Sequence, residues 1–367
     1  MDVLVVGGGV VGCAVAWRLQ QAGVRCTVLE RSIPGAEASS AAAGILAPQV
    51  EADGPGPFLD LCLASRALYP DFARELAEVT GFEIGYQASG ALLTVFDDGE
   101  ADQARTRVAW QRQAGLEAEW LDAASLHALE PALSSSIIGA ARFAGDHQVD
   151  NRLLVKALSI AAARSGARFV PTQVRRLIES AGRVVGAMTD EGAKHADAVV
   201  VAAGAWTGLL PGALPDPSMI RPARGQMAMV HTRAPVVRHV VFGAQGYAVP
   251  RADGRLLLGS TVEFVGFDKQ VTAGGLAAIL SRGIALIPAV AEAPLVETWA
   301  GFRPHTADGL PVLGAGALPG LFLASGHFRN GILLTPITAA VLRDLILTRA
   351  PAVDINAFRA DRNARKL

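Results

Sequence analysis

A glycine-rich loop between an apolar run and a helical pattern constrains the fold of this 367-residue chain more than any other feature. The loop reads Gly7-Gly8-Gly9-Val10-Val11-Gly12, with a strand predicted over residues 2–6 and a helix over 10–22. In such loops the first glycine permits a sharp turn, the second lets a pyrophosphate approach the backbone, and the third lets the helix pack against the strand. The pattern therefore predicts a dinucleotide at the start of the helix.

An acidic residue at the end of the next predicted strand narrows the choice of dinucleotide. That strand covers residues 25–29, and Glu30 follows it, 18 positions after Gly12. A carboxylate at this place binds free ribose hydroxyls, which favours FAD or NAD over NADP. The alternative is a glycine-rich turn that binds no ligand.

Two later segments favour FAD over NAD. An apolar strand predicted over residues 198–203 ends in small residues and Gly204, which leaves room for a ligand. Residues 325–331, Ser-Gly-His-Phe-Arg-Asn-Gly, precede a helix predicted to run to about residue 349. The positive end of that helix could stabilise the negative charge of a reduced flavin. Alternatively, residues 198–203 are an ordinary core strand and residues 325–331 are a surface loop. An NAD-linked dehydrogenase stays open at this point.

Composition excludes several classes of protein. The 33 Lys+Arg and 34 Asp+Glu nearly cancel, which argues against binding to nucleic acid or to anionic lipid. The three cysteines, Cys13, Cys26 and Cys62, have no metal-site spacing and indicate reduced thiols in the cytoplasm. The seven histidines form no metal-binding pair, so we expect no metal. We also expect no secretion signal and no membrane span.

The order of predicted elements indicates two domains between which the chain passes more than once. Both ends have an alternating strand and helix pattern, and the middle is rich in strands. A hairpin turn is predicted at Asp253-Gly254. Helices are predicted over residues 59–79, 100–115, 121–129, 151–165 and 274–287, and strands over 90–95, 222–230, 236–241, 246–250, 255–260 and 321–324.

The motifs together resemble those of the FAD-dependent amine oxidases of the D-amino-acid oxidase superfamily, and among them the glycine oxidase family associated with thiamine biosynthesis. The resemblance runs nearly end to end. The motifs that carry it are residues 7–12 with Glu30, residues 39–44 (Ser-Ser-Ala-Ala-Ala-Gly), 199–204, 246–251 (Gly-Tyr-Ala-Val-Pro-Arg), 299–304 (Trp-Ala-Gly-Phe-Arg-Pro) with Asp308-Gly309, and 326–333 (Gly-His-Phe-Arg-Asn-Gly-Ile-Leu).

The resemblance implies an α/β fold with two parts. A Rossmann-like FAD-binding domain would be assembled from several chain segments, residues 1–80, 146–212 and 300–367. A substrate domain on a mainly antiparallel β-sheet would comprise residues 81–145 and 213–299.

It also implies roles for individual residues. Those expected to bind the cofactor are Gly7, Gly9, Val10, Val11, Gly12, Glu30, Arg31, Ser39, Ala43, Gly44, Ile45, Val174, Gly204, His327, Phe328, Arg329, Asn330, Gly331, Ile332 and Leu333. Those expected to act on the substrate are Tyr247, Arg303 and Arg329. Ile45 and Val262 stand where relatives can have methionine, and both keep the pocket apolar.

The chemistry of amine oxidation assigns tasks to the substrate-side residues. The cofactor accepts a hydride from the substrate Cα, so the protein must position that carbon and keep the amine neutral. Arg329 would bind the substrate carboxylate through two hydrogen bonds, with Tyr247 donating a third. Arg303 would lie at the rim of the site, or else form a structural ion pair, and Tyr247 could instead be a packed strand residue. The backbone of His327 would matter more than its ring.

The expected reaction is the oxidation of glycine, sarcosine or short D-amino acids by dioxygen to the oxo acid, ammonia and hydrogen peroxide. No cysteine follows Cys62, so the cysteinyl link of some relatives is unavailable and FAD would be noncovalent. Alternatives are a D-amino-acid dehydrogenase with another electron acceptor and a flavin-binding regulatory protein without chemistry. The resemblance suggests a homotetramer.

Overall fold

The computed structural model describes residues 1–244 and 246–362, so the last five residues of the predicted segment 300–367 lie outside the described part. Within it, a six-stranded sheet draws strands from distant parts of the chain. In spatial order they are Val312–Ala315, Leu321–Ser325, Ala198–Val201, Asp2–Val6, Arg25–Glu30 and Arg168–Pro171. All neighbours pair parallel except the first two.

The glycine loop lies at the carboxyl end of a central strand of this sheet. Val3 is in register with Ala198 on one side and with Cys26 on the other, so the strand is hydrogen-bonded along both edges. Val3 and Leu4 point to opposite faces of the sheet and both are buried, as a parallel strand covered on both faces requires. Helix Val10–Gln21 packs on one face, where Trp17 is fully buried.

An eight-stranded sheet forms the second part of the molecule. In spatial order its strands are Leu295–Thr306, Ile220–His231, Arg255–Gly259, Gly246–Pro250, Val240–Gly243, Ala91–Val95, Gly139–Phe143 and Glu119–Asp122. Only Val240–Gly243 and Ala91–Val95 pair parallel, so the predicted mainly antiparallel sheet is confirmed. The α/β fold class is confirmed with it.

The domain bounds stay a prediction. The predicted limit between residues 299 and 300 falls inside strand Leu295–Thr306, which pairs with Ile220–His231 over nearly its whole length.

The remaining elements are two small sheets and the helices. Strands Gly192–His195, Arg183–Thr189 and Val174–Ser180 form one small sheet, and Ile45–Leu46 with His147–Gln148 form the other. The α-helices are Val10–Gln21, Ala38–Ala41, Pro48–Glu51, Pro57–Thr80, Asp98–Gln113, Ala123–Leu129, Asn151–Arg164, Ala273–Leu286 and Thr335–Ile346. The 3-10 turns are Gly204–Leu209, Pro217–Met219, Pro288–Glu292, Phe328–Asn330 and Asn356–Phe358. Within the described ranges, no helix is both long and apolar enough to span a bilayer.

Polar side chains that bind the backbone shift two predicted elements. The helix predicted from residue 121 begins at Ala123, because Asp122 ends a strand and its carboxylate accepts from the Ser125 N–H at 2.8 Å. The strand predicted over 236–241 is Val240–Gly243, because the N–H groups of Arg238 and His239 donate to the buried Glu130 carboxylate instead.

The late helix begins further along the chain than predicted. Helix Thr335–Ile346 has a proline in its first turn, where the missing N–H has no acceptor to lose. Residues between Gly326 and that helix form a 3-10 turn, Phe328–Asn330, and further turns. The segment that precedes the helix therefore extends to Leu334, and its irregular backbone faces the cavity described next.

Candidate active site

One large cavity, ≈ 1180 Å³, lies between the two large sheets. Ligand pockets usually measure about 300–1,000 Å³, so this one has room for a dinucleotide and a small second molecule. It is lined by every residue predicted to bind cofactor or substrate except Gly12 and Leu333. Gly12 packs against the loop backbone, where a Cβ would overlap the Gly7 carbonyl oxygen, and Leu333 is fully buried in the core.

The glycine loop forms one end of the cavity. Gly7 has a φ of +104°, which only glycine adopts without strain, and its N–H donates to the Leu29 carbonyl at 2.9 Å. The Val10 N–H donates to Ser39 Oγ at 3.0 Å, so the loop and residue 39 are joined. The first N–H groups of a helix have no acceptor within the helix, which makes this end a site for phosphate.

Glu30 is held rigidly beside the loop. Its two carboxylate oxygens accept from the Gly8 N–H at 2.7 Å and from the Ser32 N–H at 2.9 Å. Each carboxylate oxygen has a further lone pair, so the side chain can still accept from a ligand hydroxyl. Its role toward ribose stays a prediction.

Thr172 is a cavity residue that the sequence analysis missed. Its side chain is 5% exposed, and its buried Oγ1 has no hydrogen-bond partner among the described residues. The residue follows strand Arg168–Pro171, and its N–H donates to the Glu30 carbonyl at 3.0 Å. A buried hydroxyl that borders a cavity and has no protein partner can hydrogen-bond a bound ligand. Together with the glycine loop, it fits the adenosine end of FAD. No sequence pattern identified this residue, because its four-residue strand was not predicted.

The segment carrying Ser39, Ala43, Gly44 and Ile45 is held by side chains from elsewhere in the chain. Asn151 Nδ2 donates to the Ser39 carbonyl at 2.9 Å, and Trp299 Nε1 donates to the Ala41 carbonyl at 2.9 Å. Arg251 Nη2 donates to the Ala43 carbonyl at 2.7 Å. These bonds fix a surface of small residues where a flat ring could lie close to the backbone.

The late segment, residues 327–333, forms the opposite wall. Phe328 has a φ of +46°, a strained value for a residue with a Cβ, and such strain concentrates at functional sites. The segment is held from behind, since Ser65 Oγ donates to the Leu333 carbonyl at 2.6 Å and the Tyr69 hydroxyl donates to the Ile332 carbonyl at 2.5 Å. Its backbone is therefore fixed independently of the side chain of Arg329.

Arg329 stands out among the arginines of the cavity. Its guanidinium lies 5.2 Å from the Phe328 ring, and it has no hydrogen bond or ion pair with any residue in ranges 1–244 and 246–362. Arg303, by contrast, donates to the Thr261 carbonyl at 3.0 Å and to Ser260 Oγ at 2.7 Å. Of these two cations, Arg329 is the one left available to an anionic ligand.

Tyr247 lines the same cavity as the two arginines. Its hydroxyl donates to Met227 Sδ at 3.3 Å, and its ring packs against Phe242 with centroids 5.9 Å apart. A thioether is a weak acceptor, so a carboxylate can replace it as the partner of this hydroxyl.

His327 is buried, 4% exposed, with Nε2 3.1 Å from Thr338 Oγ1. Burial lowers the pKa of its ring from 6.5 to about 4. The folded protein therefore keeps the ring neutral across the physiological range, which leaves its backbone as the part that shapes the cavity.

Lowering the pH should reduce the free energy of unfolding of the wild-type protein through protonation of His327. Between about pH 6.5 and pH 4 the unfolded ring binds a proton that the folded ring does not, so stability is lost as the pH falls. The expected loss in the free energy of unfolding is of the order of 3 kcal/mol. The variant His327→Gln, which can keep the bond to Thr338, should lose less. Urea melts at several pH values measure this, with His195→Gln at an exposed position as the matched control; equal pH slopes for wild type and His327→Gln would contradict the prediction.

Comparison with known proteins identifies relatives of this chain. A model of the DAO family, described as FAD dependent oxidoreductase, matches residues 2–345. Glycine oxidase from Geobacillus kaustophilus is 38% identical over 371 residues, which is 100% of this chain and 98% of that protein. The bifunctional protein ThiO/ThiG from Synechocystis sp. is 41% identical over 370 residues, 98% of this chain but 54% of that protein. The chain thus spans about half the length of the bifunctional relatives it matches.

Solved structures give the same result. The crystal structure of glycine oxidase from Geobacillus kaustophilus superposes with a TM-score of 0.95 at 37% identity and covers 99% of both chains. That of iminodiacetate oxidase from Chelativorans sp. superposes with a TM-score of 0.87 at 28% identity, covering 97% of this chain and 98% of that one. The family resemblance inferred from the motifs is confirmed.

Proposed function

The chain belongs to the DAO family of FAD dependent oxidoreductases, and we propose that it deaminates glycine and other small amino acids oxidatively. The proposed substrates are glycine, sarcosine and short D-amino acids, with dioxygen as the electron acceptor. The products would be the oxo acid, ammonia and hydrogen peroxide. The observation that supports this most is the unpaired guanidinium of Arg329 in the cavity that fits FAD.

When bound, FAD supplies the acceptor for a hydride from the substrate Cα. The chain's own residues bind and orient the substrate. Arg329 takes the carboxylate in a planar, two-bond contact, and Tyr247 donates a third hydrogen bond to the same group. Fixing the carboxylate at one end holds the Cα in place, and such positioning can supply several kcal/mol of the rate enhancement.

Arg303 acts on the same carboxylate through its charge. Its guanidinium donates to the Thr261 carbonyl and to Ser260 Oγ, and it lies over Gly225, where a Cβ would displace it. The arginine therefore keeps its place without a ligand and contributes a fixed positive potential.

Small side chains are favoured by the apolar residues around Tyr247. Ile45, Phe242 and Val262 line this part of the cavity and offer no partner to a charged side chain. A substrate with a buried charge beyond its own amino and carboxyl groups would pay a desolvation cost without compensation.

Anaerobic titration of the purified holoprotein with a panel of small amines tests the proposed function. We expect glycine, sarcosine and D-alanine to bleach the visible flavin band. With oxygen admitted, an oxygen electrode should record the uptake of one equivalent of oxygen per amine oxidised. Bleaching without oxygen uptake would favour a D-amino-acid dehydrogenase. A flavin that stays oxidised with every amine would favour a regulatory flavoprotein, and a colourless protein that requires NAD would overturn the proposal.

The setting of the protein is also proposed. Cys13, Cys26 and Cys62 are free and buried, which suits a reducing compartment such as the cytoplasm. Because no cysteine follows Cys62, the cysteinyl link that some relatives form late in the chain is unavailable. We therefore propose noncovalent FAD, which acid precipitation would release into the supernatant. A homotetramer is the proposed assembly, to be measured by light scattering.

A further inference from the structure

Glu51 is an acidic side chain at the cavity that none of the roles above uses. It ends the short helix Pro48–Glu51 and borders the cavity. Asn330 Nδ2 donates to its Oε2 at 3.1 Å, while Oε1 has no hydrogen-bond partner in the described part of the chain. The carboxylate is therefore oriented by one oxygen and free at the other.

The backbone that carries Glu51 is fixed from behind. The buried Asp146 carboxylate accepts from the Gln49 N–H at 3.3 Å and from the Val50 N–H at 2.9 Å. Arg66 Nη1 donates to Asp146 at 2.8 Å, and Arg107 Nη1 donates to the Val50 carbonyl. A side chain supported in this way has a defined place relative to the cavity.

The charges around Glu51 are mainly positive. The Glu51 side chain is exposed to the cavity. Desolvation by the surrounding protein raises the pKa of its carboxyl, while the nearby positive charges and the hydrogen bond from Asn330 lower it. No ion pair within 4.0 Å joins it to Arg329 among the described residues. The charged or titratable side chains that face it from the packed elements are Arg329, Arg303, Arg107 and Cys62.

Among the described residues that line the cavity, the Arg329 guanidinium is a cation without a hydrogen bond, and Glu51 has a carboxylate oxygen without one. This pair is complementary to a zwitterion, which carries a carboxylate and an ammonium group. At neutral pH most of an α-amino acid reaches the site with its amine protonated, whereas hydride loss from Cα requires the nitrogen lone pair. A group that removes this proton is needed, and Glu51, a carboxylate with one oxygen that accepts no hydrogen bond from the described residues, suits that task.

We propose that Glu51 binds the ammonium group of the substrate and accepts its proton. The N–H bond breaks, the proton goes to Glu51 Oε1, and the electron pair stays on nitrogen. This inference rests on the proposed function, because it assumes an amino-acid substrate whose carboxylate is bound by Arg329.

The variant Glu51→Gln keeps the size of the side chain and its ability to form hydrogen bonds, but it lacks the negative charge and cannot accept a proton. At pH 7 we expect kcat/KM for glycine to fall by about 100-fold, the lower limit for loss of a positioned acid or base. As the pH rises, kcat/KM of the variant should recover about tenfold per pH unit, because more glycine arrives with a neutral amine. Wild type should have a shallower dependence over the same range.

Binding of acetate, followed through the flavin spectrum, gives a readout besides activity. Acetate has a carboxylate and no amine, so Glu51→Gln should bind it as tightly as wild type, or more tightly because a repulsive charge is gone. The matched control is Glu78→Gln, an exposed glutamate near the end of helix Pro57–Thr80 that does not line the cavity. The control should leave both glycine kinetics and acetate binding unchanged.

Two results would overturn the inference while leaving the proposed function intact. One is glycine turnover by Glu51→Gln with the wild-type rate and pH profile. The other is an equal loss of glycine and acetate binding, which would mean that Glu51 only supports the cavity wall. Absence of turnover of any amine by wild type would instead overturn the proposed function itself, and with it this inference.

Discussion

Replacing Arg329 with alanine is expected to reduce kcat/KM for glycine by at least about 100-fold while the protein stays yellow. Two charge-assisted hydrogen bonds of about 1.5 kcal/mol each account for a loss of that size. Most of it should be in KM, because the carboxylate is bound in both the ground state and the transition state. The cofactor should remain because the segment's backbone is held by Ser65 and Tyr69. Steady-state kinetics and the flavin spectrum of the purified variant measure both effects.

Two further variants make this result specific. Arg329→Lys keeps the charge but loses the planar pair of donors, so its kcat/KM should lie between those of wild type and Arg329→Ala. Arg112→Ala removes an exposed arginine from helix Asp98–Gln113 and should behave as wild type. Wild-type kinetics for Arg329→Ala would remove this residue from the substrate site.

Replacing Gly9 with valine should yield a folded protein that purifies with at least about tenfold less FAD. Gly9 has a φ of −72°, which any residue adopts, and a Cβ there would meet only Ser39 Oγ, at 3.1 Å. Folding should therefore survive, whereas a pyrophosphate against the loop would be displaced at a cost of about 1–3 kcal/mol or more. The ratio of flavin to protein absorbance measures the loss, and a thermal melt shows whether the fold is kept.

Substitutions at two other glycines serve as comparisons for Gly9→Val. Gly274→Val, in helix Ala273–Leu286 with open space around its Cα, should retain full FAD. Gly12→Ala should fail to fold, since its Cβ would overlap the backbone of Gly7. A Gly9→Val protein as yellow as wild type would contradict the assignment of this loop to the phosphates.

The start of the chain could be predicted in detail because its signals are local. Strand, glycine loop, helix and acidic residue follow one another within residues 2–30, and the structure has Asp2–Val6, Val10–Gln21 and Arg25–Glu30 there. The hairpin at Asp253-Gly254 was predictable for the same reason, and strands Gly246–Pro250 and Arg255–Gly259 pair across it.

What could not be predicted depends on contacts distant in sequence. Glu51 has no local pattern, and its importance becomes visible only when Asn330, 279 positions away, is seen to hold it. Thr172 is similar, since its unpaired hydroxyl is defined by what surrounds it in space. The twelve-residue strand Leu295–Thr306 was not predicted either, because proline, glycine and arginine interrupt the alternation that signals a strand.

The distance in sequence between the two walls of the cavity has a consequence for biosynthesis. One wall is made by the loop from Gly7 and the other by residues up to Ile332, so a growing chain has no complete cavity until nearly all of it has been synthesised. A ligand that bridges both walls binds the folded chain and not the unfolded one, so bound FAD would stabilise the contacts between segments that are distant in sequence.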